Sequence, residues 1–357
     1  MRTLDVLRVL LIPLIPLYAL GVSIRNYLFN HGIIKTKAVN SFVVSVGNLT
    51  TGGSGKSPFT IMVTKMLKNM GLTVAVLSRG YGRDSEGYLL VSDGKQVYAK
   101  VEDAGDEMLQ TVYNCEVPAA VCEDRIIGAE ELLGDFPSDA LVLDDAYQHR
   151  YIHRDLNIAI FDQRFFTRLN GLRRLLLPTG DLREPIAEVK RADCVIVNRK
   201  FSPKVEVKEK YMKLLKIKPV FNACYKTVGF LDVRNNQFFP AEEFQGQRSL
   251  LVCGIANPHS FITAMESFNI STDEQLIFAD HKLYTNEEVQ AIRKVFYDKN
   301  CYSVITTEKD SVKLSQFSKE LDDIDIYYLK IEMQLDEEEE FKSYLDGKLQ
   351  EHKNKKN

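Results

Sequence analysis

The chain has 357 residues, 45% of them apolar and 27% charged, with a formal net charge of −3. Such a length favours two domains over a single core, and so small a charge, with no broad basic field, gives no reason to expect a nucleic-acid partner. Six scattered cysteines without a CxxC or a Cys/His pair of ligand spacing exclude a disulfide framework and a structural zinc site, and read as reduced residues of a cytosolic compartment.

The first element is apolar, Val6 to Ile24, interrupted by Arg8 and Ser23 and flanked by Arg2 and Arg25. A spanning helix needs about 20 apolar residues, so this one is at the lower limit. Pro13 and Pro16 weaken a straight helix, and no small-residue cleavage site follows. A membrane anchor, an interfacial helix and a core helix are all open readings. Residues 1–30 are taken as a membrane-associating helix, and Lys35 and Lys37 agree with a cytoplasmic position for the remainder.

A buried strand at Phe42-Val43-Val44 then leads into a Gly-rich loop, Thr50-Thr51-Gly52-Gly53-Ser54-Gly55-Lys56-Ser57. It fits the phosphate-binding loop pattern at all but the first position, where Thr50 replaces Gly. The apolar residues Phe59, Met62, Val63, Met66, Leu67 and Met70 follow at helical spacing, with Pro58 suited to the first turn and Gly71 to the cap. Backbone N–H groups of such a loop close on phosphate oxygens, aided by the helix dipole. Lys56 reaches the β- and γ-phosphates, and the Ser57 hydroxyl serves Mg²⁺.

Alternation continues: strand Thr73 to Leu77, the turn Ser78 to Arg83, a hairpin over Tyr88 to Val101 turning at Asp93-Gly94, helix Gly105 to Tyr113, strand Val117 to Val121 and helix Asp124 to Leu133. Strand Ala140 to Leu143 runs into Asp144-Asp145, where a phosphate-loop fold places its second metal contact. Leu156 to Phe161 and Cys194 to Val197 add two strands. The long, weakly patterned segment Asp162 to Pro185 between them reads as functional. Tyr225 to Phe239 reads as a ribbon, followed by a second α/β unit: strands Ser249 to Cys253, Gln275 to Phe278 and Tyr302 to Thr306, helices Pro258 to Phe268 and Asn286 to Phe296. The tail from Glu351 reads as frayed.

The expected fold is therefore α/β. A P-loop-type parallel sheet domain with helices on both faces covers 31–225, and a second, smaller α/β domain with a β-ribbon linker covers 226–357. Lys309 and Asp310 are adjacent, which spoils the base-reading motif of GTP switches and leaves ATP as the expected donor. A kinase also needs a carboxylate to take the acceptor proton, for which Asp106, Asp144, Asp145 and Asp162 are candidates, with His149 or His281 to orient it.

Taken together, Gly47 through Pro58, Ser78 through Gly82, Gly105-Asp106-Glu107, Asp144 through His149, Leu177 through Pro185, Ala279-Asp280-His281 and Thr307 through Asp310 resemble, in order, the tetraacyldisaccharide 4′-kinase family. The resemblance implies ATP- and Mg²⁺-dependent phosphorylation of the 4′-hydroxyl of a tetraacyldisaccharide 1-phosphate at the cytoplasmic face of the inner membrane. It implies Asp106 as base supported by His281, and Ser57, Asp144 and Asp145 serving the metal. Gln148, His149, Arg183 and Glu184 would line the site, with Arg79, Arg83 and Arg125 as candidates for a basic entrance. The expected partners are the acylated lipid and the membrane surface, and nothing points to an obligate protein partner. Ala146 and Asp181 depart from the family's usual Gly and Pro. Two rivals stay open: another P-loop kinase or ligase with a soluble acceptor, and a membrane-bound nucleotide switch.

Overall fold

The computed structural model describes residues 8–167, 171–215, 218–280 and 282–356. His281 lies outside the described residues. Thirteen strands among the described residues form one continuous mixed sheet: β1 (Phe42–Gly47), β2 (Val74–Ser78), β3 (Leu89–Asp93), β4 (Pro118–Val121), β5 (Ala140–Leu143), β6 (Leu156–Asp162), β7 (Cys194–Asn198), β8 (Val220–Asp232), β9 (Phe238–Phe239), β10 (Ser249–Cys253), β11 (Glu274–Ile277), β12 (Ser303–Thr307) and β13 (Ile326–Leu335). The order is β11-β10-β12-β13-β8-β7-β6-β1-β5-β2-β4-β3, with β9 added beside β8.

Within the first half every pairing is parallel except that of β3, and within the second β10, β11, β12 and β13 are parallel. The halves meet at an antiparallel pair of long strands, β8 and β13, with a bulge at Lys330/Ile331. β1, β5, β7 and β10 are buried along their whole length, as continuous apolar runs covered on both faces must be. The ribbon read near Tyr225 to Phe239 has its chief partner in β13, and Phe238–Phe239 adds only a short edge.

Two expectations change. The hairpin over Tyr88 to Val101 turns at Asp93-Gly94 as expected, but only its first arm is a strand, β3, paired with β4; the return arm is short, adding the Ser92–Val97 bridge and the Tyr98 N–H bond to the Val91 carbonyl at 2.9 Å. The tail is not frayed: helix Glu338–Lys356 is continuous. Its Phe341, Leu345 and Leu349, four residues apart, are buried in the core that holds Phe42 and Phe59. His352 beside Asp155 at 2.7 Å secures the last turns.

At the other end, Pro13 sits in a 3-10 turn and Pro16 in the first turn of helix Ile15–Asn30, where neither breaks a hydrogen bond the helix needs. Arg8–Asn30 is long and apolar enough to cross a membrane, and only 6% of its apolar window is buried. Leu10, Leu17, Leu20 and Ile24 face outward. The helix is therefore not a core helix.

Candidate active site

The Gly-rich loop leaves the end of β1 and enters helix Lys56–Asn69 through Gly55, whose φ of +96° belongs to glycine. A Cβ at Gly55 would also lie 2.3 Å from the Asn198 amide and 2.7 Å from the Tyr225 hydroxyl. Polar side chains hold the loop from several sides. Asn48 donates to Ser54 Oγ at 2.9 Å, Asn198 to the Ser54 carbonyl at 3.0 Å, and Lys200 Nζ to the Gly53 carbonyl at 2.7 Å. Lys200 is buried and paired with Asp162 at 2.9 Å; burial pushes its pKa down against the pull of that carboxylate.

Beside the loop stand the two aspartates that end β5. Asp144 is buried and accepts from Thr60 Oγ1 at 2.8 Å and from Ser57 Oγ at 3.4 Å. Burial, then the charges of Glu107 and Asp145, push its pKa up to about 6. For Asp145 burial acts in the same upward sense, but Lys56 at 3.7 Å and Arg183 at 3.0 Å outweigh it and hold the carboxyl below its usual range. Asp145 also has a φ of +45°, a strained value for a side chain with a Cβ. The turn it makes brings Tyr147 onto β1 so closely that a Cβ at Gly47 would sit 2.6 Å from the Tyr147 nitrogen. Ser57, Asp144 and Asp145 supply hard oxygen donors of the kind Mg²⁺ takes alongside substrate phosphates, so the residues fit that ion.

A cavity of about 350 Å³ opens over the loop. Thr51 to Pro58, Asp145, Arg183 and Lys200 line one side; Ile255 to Asn257, Asp280 and Thr307 to Lys309 line the other, with Tyr81, Glu107 and Gln110 at the rim. Asp106 is buried immediately behind, at the start of helix Asp106–Cys115. Lys309 lies 3.6 Å from Asp106 and 3.3 Å from Glu107, and buried Lys313 lies 2.9 Å from Asp106. Burial lowers the Lys309 pKa, but Glu107, Asp106 and Asp280 more than reverse it, so the ammonium form is favoured.

The remaining expected residues are distributed unevenly. Gln148 is beside the site, donating to the Asn48 carbonyl at 2.8 Å and accepting from Arg183 at 3.4 Å. Glu184 does not line the cavity: it is wholly buried, and Arg25, Asn26 and Arg191 take its two oxygens. His149 is half-buried against Tyr151, away from the cavity lining, and burial, then Arg125, push its pKa down to about 4. Arg125 is no entrance residue, because it is wholly buried and donates to the Cys122 and Asp144 carbonyls. Arg83 is tied to Glu123 and to the Gly87 carbonyl, and Arg79 is exposed.

Sequence reasoning missed Asn198, Lys200 and Lys313. Asn198 ends β7 and Lys200 stands just beyond it, at the carboxyl end of a parallel strand, where ligands of open α/β sheets gather. Lys313 stands four residues after Lys309, hence on the same helical face.

Comparison with known proteins follows the same lines. The family described as tetraacyldisaccharide-1-P 4′-kinase matches residues 7–350. A tetraacyldisaccharide 4′-kinase of Chlorobium phaeovibrioides is 34% identical over 343 residues, covering 94% of this chain and 95% of that protein. One from Geobacter metallireducens is 35% identical over 318 residues, covering 87% and 88%. A crystal structure of LpxK from Aquifex aeolicus in complex with ATP superposes with a TM-score of 0.78 at 29% identity, covering 96% of this chain and 99% of that one.

Proposed function

The chain belongs to the tetraacyldisaccharide 4′-kinase family, and we propose on that premise that it transfers the γ-phosphate of ATP to the 4′-hydroxyl of a tetraacyldisaccharide 1-phosphate, a lipid A precursor. The observation that carries the reading is a single cavity with the Gly-rich loop on one side and Lys309, partner of Asp106, on the other.

The loop N–H groups and the helix that follows cradle the phosphates, and Lys56 sets its charge against the γ-phosphate. Ser57, Asp144 and Asp145 would hold Mg²⁺, which when bound neutralises charge developing on the transferred group. Asp106 takes the proton of the 4′-hydroxyl as its oxygen bonds to the γ-phosphorus, and the bond from that phosphorus to the β,γ-bridging oxygen breaks to release ADP. Lys309 and Lys313 fix the carboxylate during this step. His281 is assigned a supporting role from the family pattern alone.

The acceptor is an acylated lipid, and removing it from a bilayer costs about 0.8 kcal/mol per CH₂. The exposed apolar face of the N-terminal helix, bearing Leu10, Leu17 and Leu20, meets it at the cytoplasmic surface of the inner membrane. The test is transfer of labelled γ-phosphate from ATP to the acylated disaccharide in mixed micelles. The native chain should label the lipid, and Lys56→Ala should lose on the order of a hundred- to a thousandfold in rate. Asp106→Asn should bind ATP yet lose transfer by roughly the same factor. Labelling of a soluble acceptor but not the lipid would identify a different kinase, and slow hydrolysis without transfer would identify a nucleotide switch.

A further inference from the structure

The strip Asp181 to Glu184 touches the N-terminal helical segment on one side and the nucleotide loop on the other. Toward the helix, Arg25 donates to Glu184 Oε1 at 2.7 Å and Asn26 to Oε2 at 3.0 Å, the Tyr18 hydroxyl donates to the Arg183 carbonyl at 2.8 Å, and Arg8 pairs with Asp181 at 3.1 Å. Toward the loop, Thr51 N–H donates to the Asp181 carbonyl at 2.7 Å and Arg183 N–H to the Leu49 carbonyl at 2.8 Å. The Arg183 guanidinium then holds Asp145 through both carboxylate oxygens, at 3.0 and 3.1 Å.

Four consecutive residues thus carry contacts from an otherwise exposed helix to both the loop and its carboxylate. Surface attachment alone does not call for this. An anchor needs an apolar face, which Leu17 and Leu20 provide; it does not need a wholly buried glutamate satisfied by two residues of the anchor. Glu184 with its partners is a charge-assisted cluster out of water, where losing one partner leaves a buried charge short of its bonds. Seating of the helix therefore contributes to holding the strip on its observed path. Arg191 extends the link, since it binds Glu184 and lies over the Tyr147 ring at 4.7 Å, two residues from Asp145.

We infer that the N-terminal helix is a positioning element of the nucleotide site, with Tyr18, Arg25 and Asn26 as positioning residues that act through Arg183 and Thr51, so that ATP affinity depends on the helix being docked. This rests on the reading of the Gly-rich loop as the ATP site. Docking of the helix on the 181–184 strip and readiness of the site for ATP become one linked equilibrium, and such linkage is reciprocal.

The experiment uses the full chain in detergent micelles. Binding of a fluorescent ATP analogue and the KM for ATP are measured beside sedimentation with phospholipid vesicles. Arg25→Gln should weaken ATP binding roughly tenfold, a usual size for coupling between two sites, and should still sediment with vesicles. Arg25→Lys, which keeps a cation at Glu184, should recover most of the affinity. Tyr18→Phe removes one hydroxyl and no packing volume; it should raise the KM for ATP in the same direction while melting like the native chain. Leu17→Ser combined with Leu20→Ser, on the exposed face, should do the opposite, losing vesicle binding and keeping ATP affinity. Native ATP affinity in both Arg25→Gln and Tyr18→Phe would overturn the inference, as would equal loss of affinity in the Leu17/Leu20 double variant. Failure of the unmodified chain to bind ATP would be a different result, since it removes the functional reading itself.

Discussion

Asp144 and Asp145 are adjacent in sequence, yet their surroundings drive them apart. Burial and the charges of Glu107 and Asp145 push the first up to about 6, while Lys56 and Arg183 hold the second below the usual carboxylate range. No property of the dipeptide foretells this, because the cations come from residues 89 positions before and 38 after Asp145. His149 illustrates the same dependence on surroundings with a measurable consequence. Burial and Arg125 hold its imidazole neutral down to about pH 4, whereas in the unfolded chain it takes up a proton near pH 6.5. A histidine whose folded pKa is depressed favours the fold fully above the unfolded value, and that contribution is lost as pH falls from about 6.5 toward 4. The His149→Gln variant should therefore show a flatter decline of melting temperature over that window than the native chain, read by thermal denaturation at pH 7, 5.5 and 4.5. Parallel declines would mean that His149 is not the group responsible.

Among the elements, those with a single dominant period were legible and those defined by remote partners were not. Ala140–Leu143 and Ser249–Cys253 have the bounds their apolar runs suggest, because a strand buried on both faces writes its limits in hydrophobicity. β13 escaped notice: Ile326–Leu335 mixes Lys330, Glu332 and Gln334 with apolar residues, and its identity comes from pairing with β8. Helix Glu338–Lys356 escaped for a related reason, since a highly charged surface masks the three core residues at four-residue spacing. Phe341 is fully buried between Phe59 and Phe221, at ring distances of 5.8 and 5.1 Å. Phe59 belongs to the helix behind the Gly-rich loop, so the C-terminal helix supports the site from the rear. Phe341→Ala should cost about 3–5 kcal/mol, visible as a lower denaturant midpoint. A loss under about 1 kcal/mol would show that the helix packs only peripherally.

Across the whole molecule, the contacts that close the cavity differ in kind from those that build the sheet. The halves share the antiparallel β8–β13 pair, but the working residues meet through two helices, Asp106–Cys115 and Glu308–Leu314. The seam carries a run of polar contacts: Asp106 with Lys309 and Lys313, Glu107 with Lys309, and Gln110 and Asn114 with Glu308 at 2.9 and 3.0 Å. Hydrogen bonds to charged groups each contribute about 1.5–3 kcal/mol net, and where water can replace them on opening, a polar seam parts more readily than an apolar one. Lys313 is the exception. It is buried between Asp106 at 2.9 Å and Asp310 at 3.3 Å, and Asp310 in turn accepts from the Gly254 N–H and the Thr307 hydroxyl. Lys313→Met keeps the length of the side chain and removes the charge, leaving two buried carboxylates without their shared cation, a loss of about 3–5 kcal/mol. Because the Gly-rich loop is braced by Asn48, Asn198 and Lys200, the KM for ATP should stay near native while kcat falls with the misplacement of Asp106. Steady-state kinetics below the variant's melting temperature separates the two parameters. A rise in the KM for ATP with unchanged kcat would mean that Lys313 serves the nucleotide loop rather than the base.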